Sequence, residues 1–101
     1  MKYIPISAVP CQKMDITLSQ QECVISIYQK SGLIYLDLIV SGAPVTYASL
    51  ARDRVKLVRS IYKHFIGNLM FVDTQGESDP AYTGFNSRWL LIYLEDGDEL
   101  Y

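Results

Sequence analysis

The chain has 101 residues, of which 50% are hydrophobic and 20% are charged, and its formal net charge is -2. This length suits a single domain that folds without disulfides or metal, and the composition excludes an intrinsically disordered chain. Lys and Arg are scattered along the sequence, so no basic face for phosphates is expected and no nucleic-acid partner is predicted. No apolar run approaches the roughly 18 residues of a membrane-spanning helix, so no membrane partner is predicted either.

The N-terminal part of the chain predicts two strands. Residues 2–7 can form an edge strand, because a proline within them removes a backbone donor that a central strand would need. Residues 12–18 alternate between apolar and polar side chains, as a half-buried strand does. A two-residue loop at residues 19–20 would place Ile16 opposite Cys23 and extend the same apolar face.

Residues 22–50 form an apolar run that two Ser-Gly pairs divide into three strands. Gly32 and Gly42 accept the positive φ of tight hairpin turns, so each pair is predicted to be a two-residue loop. The first hairpin then has the cross-strand partners Lys30–Leu33, Tyr28–Tyr35, Ile27–Leu36, Ile25–Leu38 and Cys23–Val40. The second has the partners Leu38–Val45, Asp37–Thr46 and Leu36–Tyr47. Both registers put the apolar residues on one face and leave Tyr28 and Tyr35 on the other, which predicts a half-solvated antiparallel sheet.

Residues 54–66 carry conflicting signals. Their apolar residues recur at three- and four-residue spacing, which is typical of an amphipathic helix. The same segment is rich in β-branched and aromatic residues, which favours a strand. The pattern leaves both interpretations open.

The C-terminal part predicts two further strands. Residues 67–74 carry apolar side chains on both faces, and residues 88–94 are nearly continuous apolar sequence, as in a central strand. A polar loop rich in turn residues separates them. We therefore predict an all-β fold, a small antiparallel β-barrel or sandwich built on a meander, with a short helical turn near 54–66 as the open alternative. The predicted domain spans residues 1–94, and residues 95–101 form an acidic tail.

The sequence contains no group of residues that predicts catalysis. The single His64 has no cysteine partner at metal-ligand spacing, and no serine lies in a nucleophile elbow. Asp73, Glu77 and Asp79 could attract calcium, but the position where an EF-hand loop needs its glutamate is Gly84. Turn formation is the preferred interpretation, and no metal or cofactor is predicted.

Contact-prone residue types are concentrated just before and within the last predicted strand. Aromatic residues and arginine dominate interface cores, although Trp89 in an alternating strand is more simply a core residue. The predicted interaction residues are Tyr28, Tyr35, Tyr82, Phe85 and Arg88.

The order of several segments resembles a known family. These segments are the opening residues 4–12, the strand and turn at 65–76, the Asp-Pro-Ala-Tyr-Thr-Gly run at 79–84 and the apolar strand at 87–93. Across residues 4–93 the chain is similar to the small plug protein of contractile-tailed phage baseplates, the family typified by the cyanophage baseplate plug.

The resemblance implies a virion structural protein and not an enzyme. Such a protein is made in the host cytoplasm and lies in the tail baseplate, where it contacts hub, tail tube and wedge proteins and copies of itself in a ring. The resemblance also favours strand and loop over helix for residues 54–66. By the same resemblance, Arg88 is available to pair with Asp73 or Asp79. The positions that match the family motif are Gly67, Asp73, Gly76, Asp79, Pro80, Tyr82, Gly84 and Arg88.

A rival interpretation is a stand-alone β-barrel module that binds a ligand or peptide. Its binding platform would be formed by Tyr28, Tyr35 and Trp89, on which a sugar ring or an aromatic side chain could stack. This interpretation requires the three rings to be exposed together.

Overall fold

The computed structural model describes residues 2–58 and 65–95 of the chain. These residues form seven β-strands and one short 3-10 helix. The strands are β1 (Lys2–Ile4), β2 (Cys11–Leu18), β3 (Gln21–Lys30), β4 (Leu33–Val40), β5 (Ala43–Leu50), β6 (Asn68–Asp73) and β7 (Trp89–Leu94), and the 3-10 helix is Tyr82–Gly84.

The strands make two antiparallel sheets that pack as a small β-sandwich. One sheet has four strands in the order β2-β3-β4-β5, and the other has three strands in the order β1-β7-β6. The prediction of an all-β fold is confirmed. Of the two predicted alternatives, barrel and sandwich, the sandwich is correct, since the sheets do not close into a barrel. The described residues include no helix long and apolar enough to cross a membrane.

The four-stranded sheet is a meander with three two-residue turns. Every partner predicted for the first hairpin is confirmed, from Lys30–Leu33 at the turn to Cys23–Val40 at the far end. The predicted pairing of Ile16 with Cys23 across the β2–β3 turn is also confirmed. At the β3–β4 turn, Ser31 has φ 53° and Gly32 has φ 78°, the left-handed pair that matches the twist of the flanking strands.

The predicted register of the second hairpin is wrong beyond its turn. Val40 faces Ala43 as expected for a Ser-Gly loop, but Leu38 then faces Thr46 and Leu36 faces Ser49, so the register shifts twice. The extra residues leave Tyr47 62% exposed, although the predicted register placed it opposite a core leucine. The physical reason lies in Ala48, whose left-handed φ of 50° lets its N–H turn toward the Asp37 carboxylate at 2.7 Å.

The core lies between the inner faces of the two sheets. From the meander it takes residues that are at most 1% exposed, which include Ile25, Ile27, Leu36 and Leu38. From the other sheet it takes Leu69, Phe71, Trp89, Leu91 and Tyr93. The predicted apolar face of the β3–β4 hairpin is therefore confirmed.

The three-stranded sheet joins the two ends of the described chain. β7 is its central strand, as its continuous apolar sequence predicted, and β1 is an edge strand, as predicted, although it ends before Pro5. A second apolar cluster lies on the face of this sheet that is turned away from the core, and its buried members are Met70, Ile92 and Leu94. Both faces of β6 are thus apolar, in agreement with the sequence.

The segment after β5 is irregular where the structure describes it, with a turn at Arg54, whose φ is 58°. Asp53 makes an isolated bridge to Phe71 and Lys56 makes one to Met70, so residues 53–57 run along the free side of β6. The helical alternative is therefore wrong for residues 54–58. Residues 59–64, including His64, lie outside the described part of the chain, as do residues 96–101 of the predicted tail.

Candidate interaction surface

Asp73, the last residue of β6, is fully buried and carries a carboxylate with four hydrogen-bond donors around it. Oδ1 accepts hydrogen bonds from Arg88 Nε at 2.8 Å and from the Gln75 N–H at 2.9 Å. Oδ2 accepts from Arg88 Nη2 at 2.9 Å and from the Ser78 N–H at 2.8 Å. The hydrogen bonds from Arg88, followed by those from the two backbone N–H groups, hold the pKa of Asp73 well below its usual range against the opposing effect of burial.

Arg88 is the matching cation and lies immediately before β7. Its guanidinium meets Asp73 in the two-pronged geometry that suits a carboxylate, and its central carbon lies 4.5 Å from the centroid of the Trp89 ring. The hydrogen bond to Asp73 raises the pKa of Arg88. Of the two carboxylates that the resemblance offered, the structure pairs Asp73 with Arg88, whereas Asp79 accepts a hydrogen bond from the Asp53 N–H at 3.1 Å.

A second arginine, Arg54, holds the same loop from its other side. Its Nη2 donates to the Asp73 carbonyl at 3.1 Å and its Nη1 donates to the Gly76 carbonyl at 3.2 Å. The neighbouring Asp53 accepts a hydrogen bond from the Asp73 N–H at 2.8 Å. Sequence reasoning missed this contribution, since residues 53 and 54 are about twenty positions away from the loop and no local pattern links them to it.

Close packing accounts for two glycines of the motif. A Cβ on Gly84 would collide with the Trp89 ring, and a Cβ on Gly67 would collide with the Leu94 carbonyl and the Tyr93 side chain. Gly67 also has φ 96°, which L side chains rarely adopt. The Asp73–Arg88 pair inside the loop between β6 and β7 and the Gly84–Trp89 contact near its end therefore both constrain this loop, whereas the Gly67 contact lies just before β6.

The predicted interaction residues fall into two groups on different sheets. Tyr82 is half-buried in the 3-10 helix, where it packs against the core, and Arg88 is committed to Asp73. Phe85 is only 4% exposed and stacks on Phe71 with ring centroids 5.5 Å apart, so its ring contributes to the core and not to the surface of the described chain.

The other group lies on the outer face of the meander. Tyr28 and Tyr35 face each other across the β3–β4 hairpin, and their rings stack with centroids 5.9 Å apart and planes 22° apart. The Tyr28 hydroxyl donates to Asp37 Oδ1 at 3.0 Å. Partial burial, followed by this hydrogen bond, raises the pKa of Tyr28.

We use the name tyrosine face for the half-buried pair Tyr28 and Tyr35 together with the exposed Tyr47 on the neighbouring strand β5. Ala48 lines a shallow depression together with Tyr28 and Tyr35, and Tyr47 precedes it with 62% of its surface exposed. Tyrosine offers a large rigid contact area together with a polar hydroxyl, which suits a protein interface. The sequence indicated the Tyr28–Tyr35 pair but not Tyr47, because the bulge that exposes Tyr47 has no signal in the alternation of residues.

The platform required by the rival interpretation does not exist in this structure. Trp89 is 7% exposed and belongs to the core, with its indole N–H donating to the Ser78 carbonyl at 3.0 Å. Tyr28 and Tyr35 lie on the outer face of the opposite sheet. The three rings are therefore not presented together, and the interpretation of Trp89 as a core residue is the correct one.

The described residues contain no cluster of three or more His, Cys, Asp or Glu side chains that could hold a metal ion. Both oxygens of the Asp73 carboxylate accept hydrogen bonds from backbone N–H groups and from a guanidinium. A calcium ion would need these same oxygens as ligands.

Comparison with known proteins identifies one family. No curated protein matches the chain. A family described as the cyanophage baseplate Pam3 plug gp18 matches residues 1–96, which is nearly the whole sequence. This description is that of a structural component of a phage baseplate. The chain therefore belongs to the cyanophage baseplate plug family and is a virion structural protein of the tail baseplate, where it contacts other baseplate components.

Proposed function

We propose that this plug belongs to a contractile tail and lies at the junction between the tail tube and the baseplate. There it contacts the hub, the end of the tail tube and the surrounding wedge proteins, with several copies arranged in a ring. The protein is made in the host cytoplasm and joins the baseplate during tail assembly. Residues 1–94 act in this proposal as a single β domain, with the acidic residues 95–101 as a tail.

The tyrosine face is the observation that carries this proposal. Asp37 accepts hydrogen bonds from both the Tyr28 hydroxyl and the Ala48 N–H, so one carboxylate oxygen fixes the ring pair and the adjoining bulge together. An aromatic surface that is ordered before binding loses little conformational entropy when a partner covers it. This is the property needed by a small protein that makes the same weak contact many times in a symmetric assembly.

The loop between β6 and β7 supports the proposal in a different way. Tyr82 and Arg88 on this loop both retain partial exposure, but Arg88 is committed to Asp73, and the ring of Phe85 is buried against Phe71. We propose that the loop presents Tyr82 to a second baseplate neighbour in a fixed position. In this view Phe85 and Arg88 affect binding indirectly, because they hold Tyr82 in place.

Complementation of a phage that lacks this gene tests the proposed function. We expect particles without the protein to have incomplete baseplates, and electron microscopy of tails rescued by the wild-type protein to place it at the end of the tail tube. Normal baseplates in the absence of the gene, or density for the protein away from the tube, would contradict the proposal.

Two exposed tyrosines provide a matched pair for the same assay. Tyr47 on β5 and Tyr3 on β1 are both 62% exposed, so neither substitution removes a core contact. We expect Tyr47→Ser to reduce incorporation into tails by about tenfold, the loss that corresponds to one aromatic interface contact. Tyr3→Ser is expected to leave incorporation unchanged, and equal effects of the two substitutions would remove the tyrosine face from the proposal.

A further inference from the structure

The two sheets have four edges, and three of them are obstructed. β1 is three residues long and is followed by Pro5. The edge of β6 is occupied by the preceding segment, since the Arg54 N–H donates to the Phe71 carbonyl at 2.8 Å and the Leu57 N–H donates to the Leu69 carbonyl at 2.8 Å. Short strands, prolines and covering segments are the usual means of blocking an edge from further pairing.

The edge of β5 is interrupted along its length. Pro44 lacks an N–H, two register shifts separate its pairing with β4 into short pieces, and Ala48 has a left-handed φ of 50°. A second strand could not follow such an edge for more than two or three residues.

The fourth edge, on β2, is regular and has no paired strand among residues 2–58 and 65–95. All eight residues from Cys11 to Leu18 pair with β3 in one unbroken register. Within the part of the chain that the structure describes, no strand pairs with the other side of β2. This is the arrangement that accepts another β-strand.

The hydrogen bonds of the hairpin identify which backbone groups face outward. The Gln29 N–H donates to the Pro10 carbonyl at 2.9 Å, and this pair continues the β2–β3 register by one residue. Hydrogen-bonded pairs alternate along an antiparallel ladder, so residues 12, 14, 16 and 18 direct their backbone groups toward β3. The outward backbone groups therefore belong to Cys11, Lys13, Asp15 and Thr17, and all four residues are exposed.

We propose that this edge pairs with the β2 edge of a second copy of the chain, antiparallel and about a two-fold axis at Met14. In this register Lys13 lies opposite Asp15 of the second copy and Asp15 lies opposite its Lys13, so two pairs of opposite charge form by symmetry. Cys11 lies opposite Thr17 in the same way. Every outward N–H and C=O between residues 11 and 17 then meets a partner, which gives about eight hydrogen bonds across the contact.

The alternating charges select this register over its neighbours. Moving one strand by two residues keeps the outward backbone groups facing each other, but it places Lys13 opposite Lys13 or Asp15 opposite Asp15. Like charges directly opposite each other destabilise an antiparallel pair. The sequence Lys-Met-Asp is thus complementary to itself when it runs antiparallel, and this property identifies a second copy as the occupant.

The paired form joins two four-stranded sheets into one of eight strands and covers the open edge of the free protein. A contact about a two-fold axis is closed, so it does not by itself extend into a ring. The ring proposed above has to use other residues, and the β2 contact can be tested on the purified protein without any baseplate component. Failure of one proposal is therefore distinguishable from failure of the other.

Charge reversal on β2 tests the pairing. We expect sedimentation of the wild-type chain to show a monomer–dimer equilibrium that depends on concentration, and Lys13→Asp or Asp15→Lys to raise the dimer dissociation constant at least about tenfold, because each creates two like-charge pairs. The double substitution Lys13→Asp with Asp15→Lys restores the opposite charges and is expected to restore the dimer. A wild-type chain that remains monomeric at all concentrations, or a double variant no better than the single ones, would overturn the proposal.

A cross-link tests the register independently. Met14 lies opposite its own counterpart at a position where antiparallel Cα atoms are about 4.5 Å apart, which is within reach of a disulfide. With Cys11→Ser as background, we expect Met14→Cys to form a disulfide-linked dimer under mild oxidation. Thr17→Cys in the same background is the control, because the proposed register holds the two copies of residue 17 far apart. Absence of the Met14→Cys link, or equally fast linking of the control, would overturn the proposal.

Discussion

The two sheets of this sandwich are held in register by different means. In the four-stranded sheet each strand follows its neighbour in sequence through a two-residue turn, so pairing is decided locally. In the three-stranded sheet β1 pairs with β7 from the opposite end of the described chain, and β6 and β7 are separated by a long loop. That loop is ordered by the buried Asp73–Arg88 pair and by Arg54, which comes from outside the sheet. Local turns determine the strand pairing of the four-stranded sheet, and long-range polar contacts stabilise the three-stranded sheet.

The largest effect is expected from truncation of the locally specified core. Leu36 on β4 is fully buried, and we expect Leu36→Ala to lower the free energy of unfolding by about 2–5 kcal/mol in urea titrations, because it leaves a cavity between the sheets. Ile39 on the same strand lies half-buried on the outer face, and Ile39→Ala is expected to cost about 1 kcal/mol or less. Equal losses would mean that the inner and outer faces have been assigned wrongly.

A smaller effect is expected at the loop that joins β6 and β7. A methyl group on Gly84 collides with the Trp89 ring, so Gly84→Ala is expected to lower the free energy of unfolding by about 1–3 kcal/mol. Gly76→Ala in the same loop is the matched control, since the nearest atom to an added Cβ there is Arg88 Nη2 at 3.4 Å. If chemical denaturation showed the two variants to be equally stable, close packing would not be what fixes the end of this loop.

The smallest effect concerns the irregular part of the locally specified sheet. Ala48 has a left-handed φ of 50°, which glycine adopts without strain, so Ala48→Gly is expected to raise the free energy of unfolding by up to about 1 kcal/mol. Ala43 lies in the regular part of the same strand, and Ala43→Gly is expected to lower stability by about 0.5–1 kcal/mol. Thermal unfolding would show shifts of opposite sign, and shifts of the same sign would argue against the bulge.

The sequence predicts the locally paired four-stranded sheet better than the three-stranded sheet. Ser31 and Gly32 predict a turn, and once the turn is fixed every partner from Lys30–Leu33 to Cys23–Val40 follows by counting. The bulge at Ala48 could not be predicted by counting, because it depends on the carboxylate of Asp37 accepting the Ala48 N–H across the sheet. The apolar pattern of β7 indicated a central strand, but nothing local showed that β1 would be one of its neighbours.

The polar loop between β6 and β7 shows most clearly what could not be predicted from the sequence. The resemblance offered Asp73 and Asp79 as partners for Arg88, and only the folded geometry distinguishes them, since Asp73 is buried beside β7 and Asp79 lies at the surface. Arg54 is linked to the loop by no sequence signal. Phenylalanine is a residue type that is common at interfaces, but Phe85 belongs to the core because the loop places its ring against Phe71.

The Asp73 carboxylate also makes the loop sensitive to acid. Its pKa in the folded protein lies below the unfolded value, so its contribution to stability is fully present above the unfolded carboxyl pKa of about 3.9 and is lost as the pH falls toward the folded pKa. Asp73→Asn is expected to lower stability at neutral pH and to flatten its dependence on acid. Glu22→Gln, at an exposed position on β3, is the control for the loss of a surface carboxylate and is expected to change stability by about 0.5 kcal/mol or less.

Hydrogen exchange of the wild-type chain and the Asp73→Asn variant at neutral pH tests the division between the two sheets most directly. We expect the amides of Gln75 and Ser78 and those of the β6–β7 ladder to exchange faster in the variant, while the β3–β4 ladder keeps its protection. Faster exchange to the same degree in both sheets, or no change at the loop, would contradict the claim that this carboxylate organises the half of the molecule that local turns do not specify.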